Sequence, residues 1–174
     1  DYVKWDYNRN VSDIYSLGLA PQAQCEFAHR YVLGVYDICE RIVKTHPDIF
    51  FEGCSGGGGR FDPAMLYYFP QIWTSDDTDA IERLEIQYGT SMWYPTSSMG
   101  AHVSACPNHQ TRRVSPFKTR GDVAMFGTFG YELDLNKLPA EELDEVREQT
   151  EHDQQLTAGI TQDIESDDNV LKQT

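Results

Sequence analysis

No stretch of this 174-residue chain approaches the ~18 consecutive apolar residues of a membrane-spanning helix, so a transmembrane helix is excluded and no membrane partner is expected. Positive charge is scarce as well. Fourteen Lys and Arg against 28 Asp and Glu leave a net charge of −14, and such a chain repels a phosphate backbone, so no nucleic-acid partner is expected. The four cysteines, Cys25, Cys39, Cys54 and Cys106, form no C-x-x-C pair, which argues against a zinc site and against a disulfide framework. Free thiols fit a reducing compartment, and the expected location is the cytoplasm. The first residues, Asp-Tyr-Val-Lys-Trp, show neither a basic-then-apolar leader nor an initiating Met, so the expectation is a processed or trimmed chain or a fragment. What is present suffices for a core: 40% of residues are hydrophobic and 12% aromatic. The acidity is uneven. Residues 1–139 hold 17 acids and 12 bases, residues 140–174 hold 11 acids and 2 bases.

Strands and helices alternate along the chain. Tyr2 to Trp5 reads as a short strand, and Pro21 to Lys44 as a helix with Phe27, Tyr31, Val35, Ile38 and Ile42 at helical spacing, Pro21 in its first turn and Lys44 at its end. Asp48 to Glu52 reads as a strand without a polar face, as expected for one buried on both sides. Gln71 to Thr74 is a third strand and Ala80 to Tyr88 a helix. Ser91 to Tyr94 reads as a fourth strand, followed by a loop through Pro95 and Pro107. Thr119 to Thr128 reads as helical, Phe129 to Asp134 as a fifth strand, and Pro139 to Gln149 as a helix with acids in its first turn. From Thr150 the apolar pattern ends, and residues 150–174 are expected to form an acidic, loosely ordered tail. Strands separated by helices imply right-handed crossovers and a parallel sheet. The fold class is therefore α/β. About five strands, with unusual residues just after the first three, suggest the C-terminal part (about strands 4–8) of a truncated (β/α)8 TIM barrel over residues 1–149, because such barrels build their sites at that edge.

The residues at those strand ends carry chemistry. Asp6 and Asp76 lie two units apart. Cleavage of a glycosidic bond needs two carboxyl groups facing each other across a sugar ring, about 5–5.5 Å apart in retaining enzymes. Lys4, two residues before Asp6, shares its strand face, and a nearby cation favours the ionised form a nucleophile requires. Asp76 has Asp77 and Asp79 beside it, and like charges suit a proton donor. An Asp after a strand ordinarily caps the next helix, a role that Asp77 and Asp79 fit. The run Gly56 to Gly59 allows close approach of backbone to a ligand. It is followed by Arg60-Phe61 where a phosphate loop needs Lys-Ser/Thr, which argues against a nucleotide. A plain turn or a sugar-binding loop remain the readings. Cys54 sits at its start. Trp5, Trp73 and Trp93 lie near strand ends and could stack on a sugar, although core packing is the ordinary role of a strand Trp. His29 and His46 read as helix surface or helix end. His102 and His109 lack carboxylate or thiolate spacing around them, so no metal and no other cofactor is expected. Arg112, Arg113, Lys118 and Arg120 read as a solvated face or interface.

Three motifs then carry a resemblance: Tyr2-Val-Lys-Trp-Asp6-Tyr-Asn-Arg9, Glu52-Gly-Cys-Ser-Gly-Gly-Gly-Gly-Arg60-Phe-Asp62 and Trp73-Thr-Ser-Asp76-Asp-Thr-Asp79. Their order and spacing resemble the α-galactosidases of glycoside hydrolase family 36, over Asp1 to about Gln149. The resemblance implies a retaining hydrolase that removes terminal α-linked galactose from melibiose- and raffinose-type oligosaccharides without a cofactor. It implies Asp6 as nucleophile and Asp76 as acid/base, with substrate contacts from Lys4, Asn8, Cys54 and the adjacent glycines Gly56 and Gly57; Trp5, Arg60 and Trp73 are added as candidate contacts from their places at the strand ends and in the loop. It also implies a cytoplasmic homo-oligomer, often a tetramer. The family's N-terminal β-sandwich and first barrel strands have no counterpart in these 174 residues. Two alternatives stand beside hydrolysis: an α-galactosyl transferase of the raffinose-synthase type, and an inactive sugar-binding fragment.

Overall fold

A computed structural model describes residues 1–8 and 11–171, with side chains through Gly159. Strands β1 (Tyr2–Asp6), β2 (Phe50–Cys54), β3 (Gln71–Trp73), β4 (Met99–Ser104) and β5 (Thr128–Glu132) alternate with helices α1 (Phe27–Thr45), α2 (Pro63–Tyr68), α3 (Ala80–Ser91), α4 (Phe117–Ala124) and α5 (Ala140–Leu171). The sheet order is β1-β2-β3-β4-β5, with β1–β2, β2–β3 and β3–β4 parallel. Each strand's neighbour in the sheet is the next in sequence. That is the order of a singly wound barrel wall, whereas a doubly wound sheet reverses direction part-way.

The chain falls into two compact units, Asp1–Asp77 with Glu85–Gly100, and Thr78–Leu84 with the residues from Ala101 onward. In the first unit, β1 and β2 run in register with Lys4 beside Glu52 and Asp6 beside Cys54. Strand side chains alternate, so these four share one face. The opposite face carries Phe51 and Ile72 into a cluster with Cys39, Met65 and Phe69, against which Trp5, Val35 and Ile42 pack. A 3-10 turn over Pro21–Glu26 leads into α1, in keeping with the Pro at its start. Helix α2, unassigned in the sequence reading, is announced by its own cap: the Asp62 carboxylate accepts from the N–H groups of Ala64 and Met65, and Pro63 follows.

In the second unit, Ala101, Val103, Phe117 and Ala124 form the core, with Phe129, Tyr131, Leu138 and Val146 packed on it. The fourth strand is not Ser91–Tyr94. Helix α3 continues to Ser91, and Trp93, 84% exposed, lies in the turn beyond it. The strand is Met99–Ser104, inside the stretch read as loop, because Met99, Ala101 and Val103 are fully buried. Of the four cations read as a solvated face or interface, one turns inward. Arg120 is buried, donating 2.7 Å to the Ser104 carbonyl and pairing with Glu142 at 3.3 Å. Arg113 pairs with Asp79 and Glu82, whereas Arg112 and Lys118 stay exposed. Helix α5 runs on past Thr150, its backbone helical through Leu171. No Pro interrupts it, and 15 of its 32 residues are Glu, Gln, Leu or Ala, all good helix formers. Residues 172–174 lie outside the described residues.

Candidate active site

The exposed carboxylate of Asp6 stands at the C-terminal end of β1, and that of Asp76 three residues past the end of β3. One loop, Ser55–Arg60, is hydrogen-bonded to the first neighbourhood and lies against the second. On one side, the Tyr7 N–H donates to the Cys54 carbonyl at 3.1 Å, and the Ser55 hydroxyl donates to the Tyr7 carbonyl at 2.9 Å. Asn8 bridges the two segments: its amide nitrogen donates to Asp6 Oδ2 at 3.3 Å, and its amide oxygen accepts from the Gly56 N–H. On the other side, the loop lies against the β3–α3 connection. A Cβ on Gly57 would stand 2.6 Å from Ser75 Cα and 2.8 Å from the Asp76 nitrogen, and one on Gly58 would stand 2.7 Å from the Thr74 carbonyl oxygen. Gly56 and Gly57 have φ of +56° and +77°, a left-handed backbone that only glycine adopts without strain. The glycine run is thus not a free turn. It is a spacer that seats the Asp6 and Asp76 segments side by side.

Cys54 lies beneath this loop, buried. Burial pushes its thiol up, and the hydrogen-bonded Asp6 carboxylate adds to the shift. At neutral pH it is a neutral S–H, able to donate. Lys4 sits one step lower on the same face. Its ammonium is 3.4 Å from Glu52 Oε1 and 4.5 Å from the centroid of Trp73. The cation expected to attend Asp6 is therefore held by Glu52, a carboxylate the sequence reading had placed in a strand without a polar face. Glu52 is fully buried.

The remaining expected contacts divide. Trp73 is buried under Lys4 on this face. Trp5 alternates to the other face, where its indole packs on Phe69 at 5.8 Å, so it is a core residue. Arg60 turns back onto the main chain: it donates to the Tyr7 carbonyl and its guanidinium lies 4.7 Å from the Tyr7 ring centroid, so it ties the loop to β1. Asp79 is the cap it resembled, accepting from the Ile81 and Glu82 N–H groups at 2.8 and 3.2 Å. An apolar cavity of about 450 Å³ lies between α1 and the first strands, lined by Trp5, Tyr31, Val35, Cys39 and Phe69 among others. It does not coincide with the carboxylates. Among the described residues, no group of three or more His, Cys, Asp or Glu is gathered for a metal ion.

The melibiase family profile matches residues 1–162. This chain belongs to the melibiase family. Among curated melibiase relatives, α-galactosidase Mel36A of Lactobacillus acidophilus is 61% identical over 149 residues, 86% of this chain and 20% of its own length. The crystal structure of the family 36 α-galactosidase AgaA of Geobacillus stearothermophilus superposes with a TM-score of 0.86 at 58% identity, over 89% of this chain and 22% of that one. That of the Lactobacillus brevis α-galactosidase gives 0.86 at 53%, over 88% and 21%. A variant of AgaA has been solved in complex with raffinose. The chain thus spans about a fifth of the length of these melibiases. Its five strands are part of a (β/α)8 barrel.

Proposed function

We propose that the full-length protein carrying this chain removes terminal α-linked galactose from raffinose- and melibiose-type sugars, with retention of configuration. The observation that supports this best is the bridge Asp6–Asn8–Gly56, continued by the close approach of Gly57 to the Asp76 main chain, so that the segments carrying both residues meet one loop. In this reading Asp6 attacks the anomeric carbon of the galactosyl ring while Asp76 gives its proton to the departing glycosidic oxygen. A galactosyl ester on Asp6 results. Asp76, now a carboxylate, takes a proton from water, and the resulting hydroxide equivalent displaces Asp6 from the anomeric carbon. In this reading Lys4, Asn8, Cys54 and the glycine loop hold the ring hydroxyls. Free thiols at all four cysteines support a reducing cytoplasm as the site of action.

The test is covalent trapping. A fluorinated galactosyl donor that forms the ester faster than it is hydrolysed is incubated with the full-length protein, and the adduct is mapped by peptide mass. An adduct on Asp6 is expected; one on any other residue overturns the assignment. Adding a second sugar as acceptor measures transfer against hydrolysis in the same assay.

A further inference from the structure

The buried carboxylate below the site does not enter the reaction, yet four strands contribute to its surroundings. Glu52 in β2 is fully buried. Its Oε2 accepts from the Tyr2 hydroxyl of β1 and from the Gln71 amide of β3. Its Oε1 accepts no hydrogen bond among the described residues and faces the Lys4 ammonium at 3.4 Å. Gly100 of β4 makes the room: a Cβ there would stand 3.1 Å from the Trp73 ring and 3.5 Å from Oε1. Burying a carboxylate is costly unless its oxygens are satisfied and its charge is matched. Here Tyr2 and Gln71 fix one oxygen and leave the other aimed at Lys4. Two neutral donors hold the geometry and the cation matches the charge.

The consequence falls on Lys4. A lysine side chain on four methylenes is flexible and holds no geometry by itself. This one is confined between the Glu52 carboxylate and the Trp73 face, with 29% of its side chain exposed on the Asp6 side of the strand. Its ammonium carries more donors than these two neighbours use. We propose that Glu52 is a positioning residue for sugar binding, whose carboxylate holds the Lys4 ammonium so that it meets one particular hydroxyl of the galactosyl ring. This rests on the reading of the Asp6 face as the sugar site. Glu52 itself touches no sugar; Tyr2 and Gln71 hold Glu52, and Glu52 holds Lys4.

The experiment uses the full-length protein with an aryl α-galactoside and its monodeoxy analogues, each lacking one ring hydroxyl. Glu52→Gln keeps the size and removes the charge. It raises KM for the parent substrate about tenfold with a smaller change in kcat, the signature of lost uniform binding. The rise is absent for the one analogue lacking the hydroxyl that Lys4 holds, and absent in a Lys4→Met background, where there is no ammonium to position. A KM rise spread evenly over all analogues, or an effect that adds fully to that of Lys4→Met, overturns the proposal. Should Glu52→Gln not fold, Tyr2→Phe takes its place. It removes one donor from Oε2 and keeps the charge, and a smaller KM rise confined to the same hydroxyl is expected; an even or absent effect overturns. A wild-type protein that hydrolyses no α-galactoside, or forms its adduct away from Asp6, overturns the sugar-site reading and this inference together. The Glu52 outcomes in an active wild type overturn the inference alone.

Discussion

At Gly57 a missing carbon atom decides where Asp76 stands. The atoms an added Cβ would strike, Ser75 Cα and the Asp76 nitrogen, are backbone and cannot rotate aside, and φ is +77°. Gly57→Ala therefore shifts the Asp76 segment, and kcat on an aryl α-galactoside in the full-length protein falls by about 10²-fold. Gly56→Ala, whose Cβ would meet only Asn8 Oδ1 at 3.8 Å, costs less. Equal kcat in wild type and Gly57→Ala would show that the loop does not set the carboxylate. Asp79 makes a second prediction. Burial raises its carboxyl, but the Thr111 hydroxyl, the Glu82 and Ile81 N–H groups and Arg113 outweigh burial and hold it below the ordinary Asp range. A group lowered on folding stabilises the protein above its unfolded pKa, about 4, and that contribution is lost as pH falls through the folded value. The urea midpoint of the wild type thus drops as pH falls below about 4, and in Asp79→Asn it drops less over the same range. Parallel acid limbs would refute this. The sequence placed Asp79 as a cap because capping is local. It could not show Thr111 and Arg113 as partners, 32 and 34 residues away.

The helices differ in what their glycines permit. Gly34 in α1 has nothing within 4 Å of an added Cβ, so Gly34→Ala raises stability by about 0.5–1 kcal/mol through helix propensity and a less free unfolded chain. Gly121 in α4 is the reverse. Its Cβ would stand 2.2 Å from Gln149 Nε2, and Gln149 is buried in α5 with its amide oxygen accepting 2.9 Å from the Tyr131 hydroxyl. Moving that amide breaks the bond, so Gly121→Ala lowers stability by about 1–3 kcal/mol despite the gain in propensity. Urea denaturation of both variants gives the two signs, and a shift of the same sign in both is the adverse result. At this scale the periodicity of α1 was readable, since Val35 and Ile42 do pack on the core. Strand β4 was not. Met-Gly-Ala-His-Val-Ser has little β-propensity, and its Gly100 and Ala101 are small because Trp73 and the neighbouring core occupy the space.

For the molecule as a whole, this chain spans about a fifth of its relatives' length, 20% of Mel36A. Among the described residues β1 pairs only with β2, and Tyr2, Val3 and Phe50 at that end of the sheet are exposed. An open strand edge beside exposed apolar side chains favours association. The 174 residues produced alone are expected to elute above monomer size and to hydrolyse an aryl α-galactoside at least about 10³-fold more slowly than the full-length protein. A monomer of undiminished activity is the contrary outcome, and size exclusion with a rate assay on the same fractions checks both.

The sequence by itself determined the βα order, the parallel sheet and the three motifs, because each depends on residues within a few positions of one another. Asp6, Cys54, the glycine loop and Asp76 could be named without coordinates for that reason. Only the tertiary structure decided which way the side chains turn and whom they meet: Trp5 to the core, Arg60 to the backbone of Tyr7, Arg120 inward, and Lys4 to Glu52 rather than to Asp6. Those choices are made across the sheet, where strand register sets the neighbours. Register follows from packing the whole face at once, which no local stretch of sequence encodes.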